Sequence, residues 1–440
     1  MRQSIAHPDS NLLRYQIREV VDVAHHLQKM DPTLKIVWEN IGDPVAQGWS
    51  VPPFLKDLII EEVKKMGDKS FGYSHSRGQL TTREWVAVHV KKICPSSRLG
   101  AEDVLFTNGL GAAIGLMYKM LKPGSRVLQP TPSYPTHVSL ESFNSKAAPV
   151  LYRLNPENNW QPDLAEMEEQ IKANSGVSAI LVINPNNPTG AVYSQETLSA
   201  IVELAAKYGL MIIADQIYFR MVYNNSEFFD LVEVAGNRVP LIVMRGMSKD
   251  VPWPGSRSGW LEFHNTDCDT DYKAYADSVK QRVLLEVCST TLPQMVLPKV
   301  YDHPDFPAWQ KQYTAELAAI ATEIKDVLAT TKGLHVNATN GAFYMMPWFD
   351  QGVLNDAQTL PIANTAVREY IEAAVNKPGF AADQRFTYYL LATTGICVVP
   401  ASGFYSPYPG FRLTTLDRDA ARRKDTYARL KAAVEQYIAS

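Results

Sequence analysis

The sequence predicts an α/β fold: a large domain on a mostly parallel seven-stranded sheet flanked by helices, and a smaller α+β domain beside it. Three observations carry that reading. From about residue 79 to 290, short apolar runs alternate with amphipathic stretches. Several of those runs are unbroken Val/Ile/Leu, the pattern of strands covered on both faces. After about residue 290 the alternation gives way to one long helical stretch and a few short strands.

Taken in order, the strands are "DVLFT", "SRVLQ", "APVLYRL", "VSAILVI", "LMIIA", "PLIVM" and "GWLEF". Helical patterns such as "AAIGLMYKML" and "SQETLSAIVELAAKYG" lie between them, the second opened by a Ser194 cap with Glu196 close behind and closed by Gly209. Beyond residue 290, "FPAWQKQYTAELAAIATEIKDVLATT" reads as a helix, "GAFYMMP", "GICVVP" and "FRLTT" as strands, and a terminal helix starts at about Asp417. Residues 351–385 are polar and helical in pattern and read as a surface insertion. The expected division is 46–290 for the large domain, with 1–45 and 291–440 forming the small one.

Composition narrows the function. A net charge of -3 without a long Lys/Arg run leaves no electrostatic footprint for nucleic acid or an anionic membrane. Cys94, Cys268, Cys288 and Cys397 show neither CxxC nor zinc spacing, so reduced thiols and no metal are expected. No run of signal-peptide or membrane-span length occurs, and the expected location is the cytoplasm.

In open α/β sheets ligands lie beyond the carboxyl ends of the strands, and the notable polar residues fall there. In "VLFTNGLGAAIGLMYKML", Gly109 and Gly111 allow a tight turn that aims the Leu110 and Gly111 amides outward from a helix start, a site for phosphate. Taken alone this is more often a plain strand-to-helix turn, since Ile114 stands where a third glycine would complete a dinucleotide fingerprint. In "PTPSYPTH", prolines fix the direction of Tyr134, whose ring either stacks on a planar ligand or packs in the loop. His137 is either a satisfied structural histidine or the support of a carboxylate.

"INPNNPTG" ends a buried strand with an overdetermined turn in which Asn187 offers an amide to a ligand oxygen. "LMIIADQIYF" puts Asp215 at the end of an apolar strand with Tyr218 after it; the acid either caps the next segment or meets a protonated ring nitrogen. In "MRGMSKDVPWPGSRSGW", Lys249 follows a strand and Arg257 comes eight residues later. A partly desolvated lysine near another cation is a nucleophile toward carbonyls; otherwise it grips phosphate or is a solvated turn residue. The set, in this order on successive strand ends, matches the needs of pyridoxal phosphate.

With "NIGDP", "YSHSRG", "TNGLGAAI", "PSYPTH", "NPNNPTG", "ADQIY", "MSKD" followed by "PGSRSGW", "GAFYMMP" and "FRLTT" in sequence, the chain from about residue 12 onward resembles the class I/II, fold type I pyridoxal-phosphate aminotransferases. "RYQIREVVDVA", "NIGDPVAQGW", "NPNNPTGAVYS" and "TGICVVPASGFYSPYPGFRLTTL" are most similar to the alanine aminotransferases. The resemblance implies that Lys249 holds the cofactor as a Schiff base and then shuttles the substrate's α proton. It implies that Asp215 keeps the pyridine nitrogen protonated, with His137 orienting it, while Asn187 and Tyr218 hydrogen-bond the ring hydroxyl oxygen and Tyr134 stacks on the ring. Ser248, Arg257 and the Leu110 and Gly111 amides would hold the phosphate, joined by Tyr73 from a partner subunit. Arg412 would fork the substrate α-carboxylate, with Asn187 and the Gly42 backbone beside it. The implied reaction is ping-pong transamination of alanine with 2-oxoglutarate by a homodimer.

Two departures from that pattern stand out: Gly246 where many relatives carry a phosphate-binding serine, and Asp417 where alanine-type relatives have proline. The competing enzyme class is a lyase or synthase of the same fold using the same lysine. An effector sensor would need a basic DNA-binding module before the "NIGDP" motif, and a dinucleotide oxidoreductase would need an acid to grip the ribose; neither feature is found.

Overall fold

The computed structural model describes residues 5–13 and 15–440; Arg14, inside one of the stretches quoted above, lies outside them. The main sheet contains β1 (Val104–Asn108), β2 (Arg126–Thr131), β3 (Val150–Asn155), β4 (Gln161–Pro162), β5 (Val177–Ile183), β6 (Met211–Asp215), β7 (Leu241–Gly246) and β8 (Ser258–His264), in the order β1-β8-β7-β6-β5-β2-β3-β4. The seven expected strands are all there. The eighth, β4, is a two-residue antiparallel partner of β3, too short to leave a period-2 signature. Neighbours run parallel from β7 to β3, whereas β8 runs against both β1 and β7.

That one reversal decides what reaches the ligand side. β1, β2, β5, β6 and β7 all end on the same rim, and because β8 is antiparallel it begins there. A residue just before β8 therefore meets residues just after the other strands.

Both faces of the sheet are covered, as the unbroken apolar strands require. Ile213, Ile242 and Leu261 pack with Met117 and with Ala276 and Val279 of helix Thr270–Val283. Their chain neighbours Ile212 and Val243 face the other way, onto Leu198, Ile201 and Val202 of helix Gln195–Tyr208. That helix is capped as expected, with the Ser194 hydroxyl accepting from Thr197 N at 3.2 Å and Gly209 left-handed at φ 64°.

A third core joins α1 (Gln16–Met30) to the C-terminal third of the chain. Its Ile17, Val20, Ala24 and Leu27 recur at helical spacing and pack with Leu317 and Ile324 of helix Phe306–Leu328. Two-stranded pairings supply the rest, including Val399–Pro400 against Phe411–Thr414 and Tyr344–Met345 against the same strand's other edge. Among the described residues no helix is long and apolar enough to cross a membrane.

The surface insertion expected at 351–385 is corrected. Leu360, Ile362, Val367, Ile371 and Val375 are buried in the third core, the last three on helix Thr365–Val375. Polar neighbours dilute the apolar fraction of this stretch, but the four-residue spacing of those three keeps one buried stripe. Ile371→Ala should lower stability by about 2–5 kcal/mol, against less than about 0.5 kcal/mol for the exposed Glu369→Ala, read as urea midpoints. Equal midpoints would mean this helix carries no core.

Candidate active site

The expected site residues converge on one cavity of about 460 Å³ at the rim where β8 begins and the other strands end. Gly42, Leu110, Gly111, Tyr134, Asn187, Asp215, Tyr218, Ser248, Lys249, Arg257 and Arg412 all line it. Tyr73 does not: it is 86% exposed, outside the cavity.

At one end Gly109, at φ 77°, turns β1 into the helix Leu110–Lys119. The left-handed backbone there favours glycine, and a Cβ would also run into the Arg257 guanidinium. Arg257, itself left-handed at φ 49°, donates to Pro254 O at 3.1 Å and to Asn108 O at 3.3 Å, so it is held against the end of β1. The helix-opening amides of Leu110 and Gly111, the Ser248 side chain and Arg257 make a donor set suited to a phosphate.

Asp215 is buried where β6 ends. Its Oδ2 lies 3.2 Å from His137 Nε2, and His137 Nδ1 is 2.8 Å from the Tyr118 hydroxyl. Ile217 N donates to Asp215 Oδ1 at 3.2 Å. Asp215 is thus held at the cavity by His137 on one oxygen and by a backbone amide on the other, an arrangement suited to a protonated heterocycle.

Of the three asparagines in the turn after β5, two are internal braces. Asn184 Oδ1 accepts from Tyr193 N at 2.9 Å, and Asn186 Oδ1 accepts from Thr189 N and Oγ1 at 3.1 and 2.8 Å. Only Asn187 lines the cavity, where its Oδ1 accepts from Arg412 Nη1 at 3.2 Å. Arg412 is buried, gives Nη2 to the Asn40 carbonyl, and among the described residues its Nε has no partner. Opposite it, the half-buried Lys249 donates its amine to the Gly42 carbonyl at 2.7 Å.

Four cavity or support residues escaped the sequence reading. Tyr118 lies on a helix read only as amphipathic. Tyr344 lies in "GAFYMMP", and Tyr15 and Arg18 in "RYQIREVVDVA", motifs quoted without a role for these residues. Tyr15 OH sits 3.4 Å from Tyr134 OH. Burial, and after it the neighbouring Tyr344 phenol, raises the pKa of the Tyr218 hydroxyl well above its ordinary value, so Tyr218 stays a donor.

The family described as aminotransferase class I and II matches residues 42–423. This chain belongs to that family. It is 42% identical over 438 residues, all of both chains, to an uncharacterized aminotransferase of Methanocaldococcus jannaschii. It is 35% identical over 228 residues, 52% of this chain and 51% of the other, to the alanine aminotransferase of Mycobacterium tuberculosis. Its fold matches an alanine aminotransferase from Pyrococcus furiosus with a TM-score of 0.84 and 26% identity, covering 98% of this chain and 99% of that one. The protein is therefore a transaminase, and its cofactor is pyridoxal phosphate.

The cavity fits that group, with a phosphate donor set at one end, a carboxylate at the base, an amine between, and an arginine lacking one partner on the substrate side. Both departures from the family pattern also have a structural reason. At Gly246 a Cβ would meet Ser258 O at 2.9 Å and Gly259 Cα at 3.2 Å, so a serine has no room. Asp417 accepts a two-pronged bond from Arg422 at 2.7 and 2.5 Å, which ties the strand carrying Arg412 to the terminal helix Ala420–Ala439.

Gly109→Ala should weaken cofactor binding at least about tenfold through left-handed strain and displacement of Arg257. Titration of the apoenzyme with pyridoxal phosphate measures it, and wild-type affinity would show that this turn does not bear on the phosphate.

Proposed function

We propose that the enzyme exchanges the amino group between alanine and 2-oxoglutarate in a ping-pong cycle. The observation that carries this reading is a second guanidinium at the same cavity: Arg18, exposed on α1, lines it together with the buried Arg412. A 2-oxo diacid needs two cations, and alanine needs one plus an apolar wall, which Ile17 and Ile41 offer. The named alanine aminotransferase relatives support the same choice.

In this reading Arg412 forks the α-carboxylate with Asn187 and Gly42 beside it, and Arg18 meets the distal carboxylate of the diacid. Ser248, Arg257 and the amides of Leu110 and Gly111 bind the phosphate; Tyr134 covers the ring, and Asn187 and Tyr218 meet its hydroxyl oxygen. Asp215, steadied by His137 and Tyr118, holds the proton on the ring nitrogen. When bound, the cofactor supplies an electron sink for the charge left on the substrate α carbon. Lys249 would carry the cofactor and, once displaced by substrate, its amine would take the α proton and give it to the carbon across the shared nitrogen, two atoms away. Arg412, by fixing the carboxylate, selects which α bond breaks.

We also propose a homodimer. Phe71 and Tyr73 are 74% and 86% exposed, Leu285 and Val287 are 78% and 53% exposed, and Thr291, four residues after Val287, donates its Oγ1 to Gly72 O at 2.8 Å. A second copy covering these exposed apolar residues would bring Tyr73 to its neighbour's phosphate site.

A panel of amino donors against pyruvate and 2-oxoglutarate tests the substrates. Alanine with 2-oxoglutarate should be the best pair, Lys249→Ala should lose roughly 10²–10⁴-fold or more, and Arg18→Ala should raise KM for 2-oxoglutarate about tenfold while sparing pyruvate. A preference for an aromatic donor, or an equal effect of Arg18→Ala on both acceptors, would refute the assignment. In light scattering the wild type should weigh twice the 49.2 kDa chain, and Leu285→Asp should weigh 49.2 kDa and lose activity; a monomeric, active wild type would rule the dimer out.

A further inference from the structure

Tyr344 starts the short strand Tyr344–Met345, is 3% exposed and lines the cavity. Three groups of the site meet on it. Its hydroxyl accepts from the Tyr218 hydroxyl at 3.3 Å, and the Arg412 guanidinium lies 4.3 Å from its ring centroid. Gly42, whose carbonyl receives the Lys249 amine, has no room for a methyl because a Cβ there would strike the Tyr344 hydroxyl.

We propose that Tyr344 is a positioning residue with two separate outputs: its hydroxyl sets where Tyr218 sends its proton, and its ring face holds the plane of Arg412 for the substrate carboxylate. The inference rests on the assignment of Tyr218 to the ring oxygen made above.

The hydroxyl argument is a matter of proton count. A phenol has one proton to donate, and here Tyr218 gives it to Tyr344. Beside an anionic ring oxygen, Tyr218 gives it to that oxygen instead, and Tyr344 turns its own proton back onto Tyr218. The bond reverses with no heavy atom moving. A hydroxyl that accepts a hydrogen bond also donates a stronger one, so Tyr344 strengthens the contact of Tyr218 with the ring oxygen without touching the cofactor.

The charged and titratable groups around the pair are Asp215 at the end of β6, Lys249 after β7, Arg412, and Tyr134 with its partner Tyr15. None of them is hydrogen-bonded to the Tyr218 hydroxyl among the described residues, which leaves that link to Tyr344.

The ring argument is one of orientation. Arg412 has Tyr344 at 4.3 Å and Phe404 at 4.8 Å, and its two terminal nitrogens are taken by Asn187 and the Asn40 carbonyl. Stacking holds the guanidinium plane while the unpartnered Nε waits.

The experiment follows the visible absorption of the holoenzyme against pH. The ring oxygen carries its full negative charge when the nitrogen linking Lys249 to the cofactor is deprotonated, so a donor aimed at that oxygen holds the titration midpoint down, and a weaker donor lets it rise. Tyr218→Phe should raise the midpoint. Tyr344→Phe should raise it by about half a unit to one unit and leave KM for alanine unchanged, since the ring remains. The double variant should sit at the Tyr218→Phe midpoint, because Tyr344 acts through Tyr218. Tyr344→Leu should in addition raise KM for alanine about tenfold through loss of the stack.

A wild-type midpoint in Tyr344→Phe alongside a shifted Tyr218→Phe would overturn the hydroxyl's part. An additive double variant would overturn it as well, and an unchanged KM in Tyr344→Leu would overturn the ring's part. A Tyr218→Phe midpoint that does not move would instead refute the placement of Tyr218 at the ring oxygen.

Discussion

Two glycines face each other across the β7–β8 pair, and the site depends on what they leave out. Gly246 and Gly259 are in register, and a Cβ on Gly259 would meet Leu110 N at 3.1 Å. With no side chain between them, β7, β8 and the start of the helix Leu110–Lys119 come together at one point of the rim. The loop joining the two strands is therefore anchored at both ends, and it is the loop that carries Ser248, Lys249 and Arg257. A side chain at either glycine would move the lysine loop or the helix start, and the amine would lose its distance to the phosphate donors.

The remaining groups are set by buried polar links that close on themselves. Asp215, His137 and Tyr118 form a line from the sheet rim into the core, and each buried polar atom in it is used at least once. The Lys249 amine and the Gly42 carbonyl join the sheet to the segment after Val37–Trp38. Arg412 joins the "NPNNPTG" turn to the same segment through Asn187 and Asn40. The sheet and the core built on α1 thus meet at the cavity through side chains that line it, so their relative placement and the cavity's geometry are one constraint.

Much of this was legible in the sequence, and the limit is physical. The strands could be drawn because a strand buried on both faces has to be an unbroken apolar run, and residues at their ends had to share a rim once the sheet was parallel. The Ser194 cap and Gly209 stop are local and were read correctly. In the Asn turn the sequence already singles out Asn187; what it does not show is that Tyr193 N and Thr189 satisfy Asn184 and Asn186. Tyr118, Tyr344 and Arg18 carry no local signal at all, because each gains its meaning from a partner distant in sequence: Tyr118 from His137, Tyr344 from Tyr218, Arg18 from the cavity. The helical pattern of Thr365–Val375 is legible but its burial is not, because the polar average of 351–385 masks the four-residue spacing of Val367, Ile371 and Val375.

The burial of Arg412 bears on the substrate carboxylate proposed for it. A guanidinium taken out of water costs several kcal/mol unless a charge or a full set of acceptors replaces the lost hydration. Arg412 is 2% exposed, yet its protein partners are neutral: an amide oxygen, a backbone carbonyl and two aromatic faces. Among the described residues no carboxylate forms an ion pair with it. Asp417 is committed to Arg422 and Asp215 to His137, while Asp43, also on the cavity, accepts the Val45 and Ala46 amides. Among the described residues Arg412 is a buried cation paired with no acid, which supports the proposal that a ligand carboxylate completes the pair. Under that proposal neutral ligands of the same size would leave the cost standing, and acids would be selected before any side-chain pocket is considered.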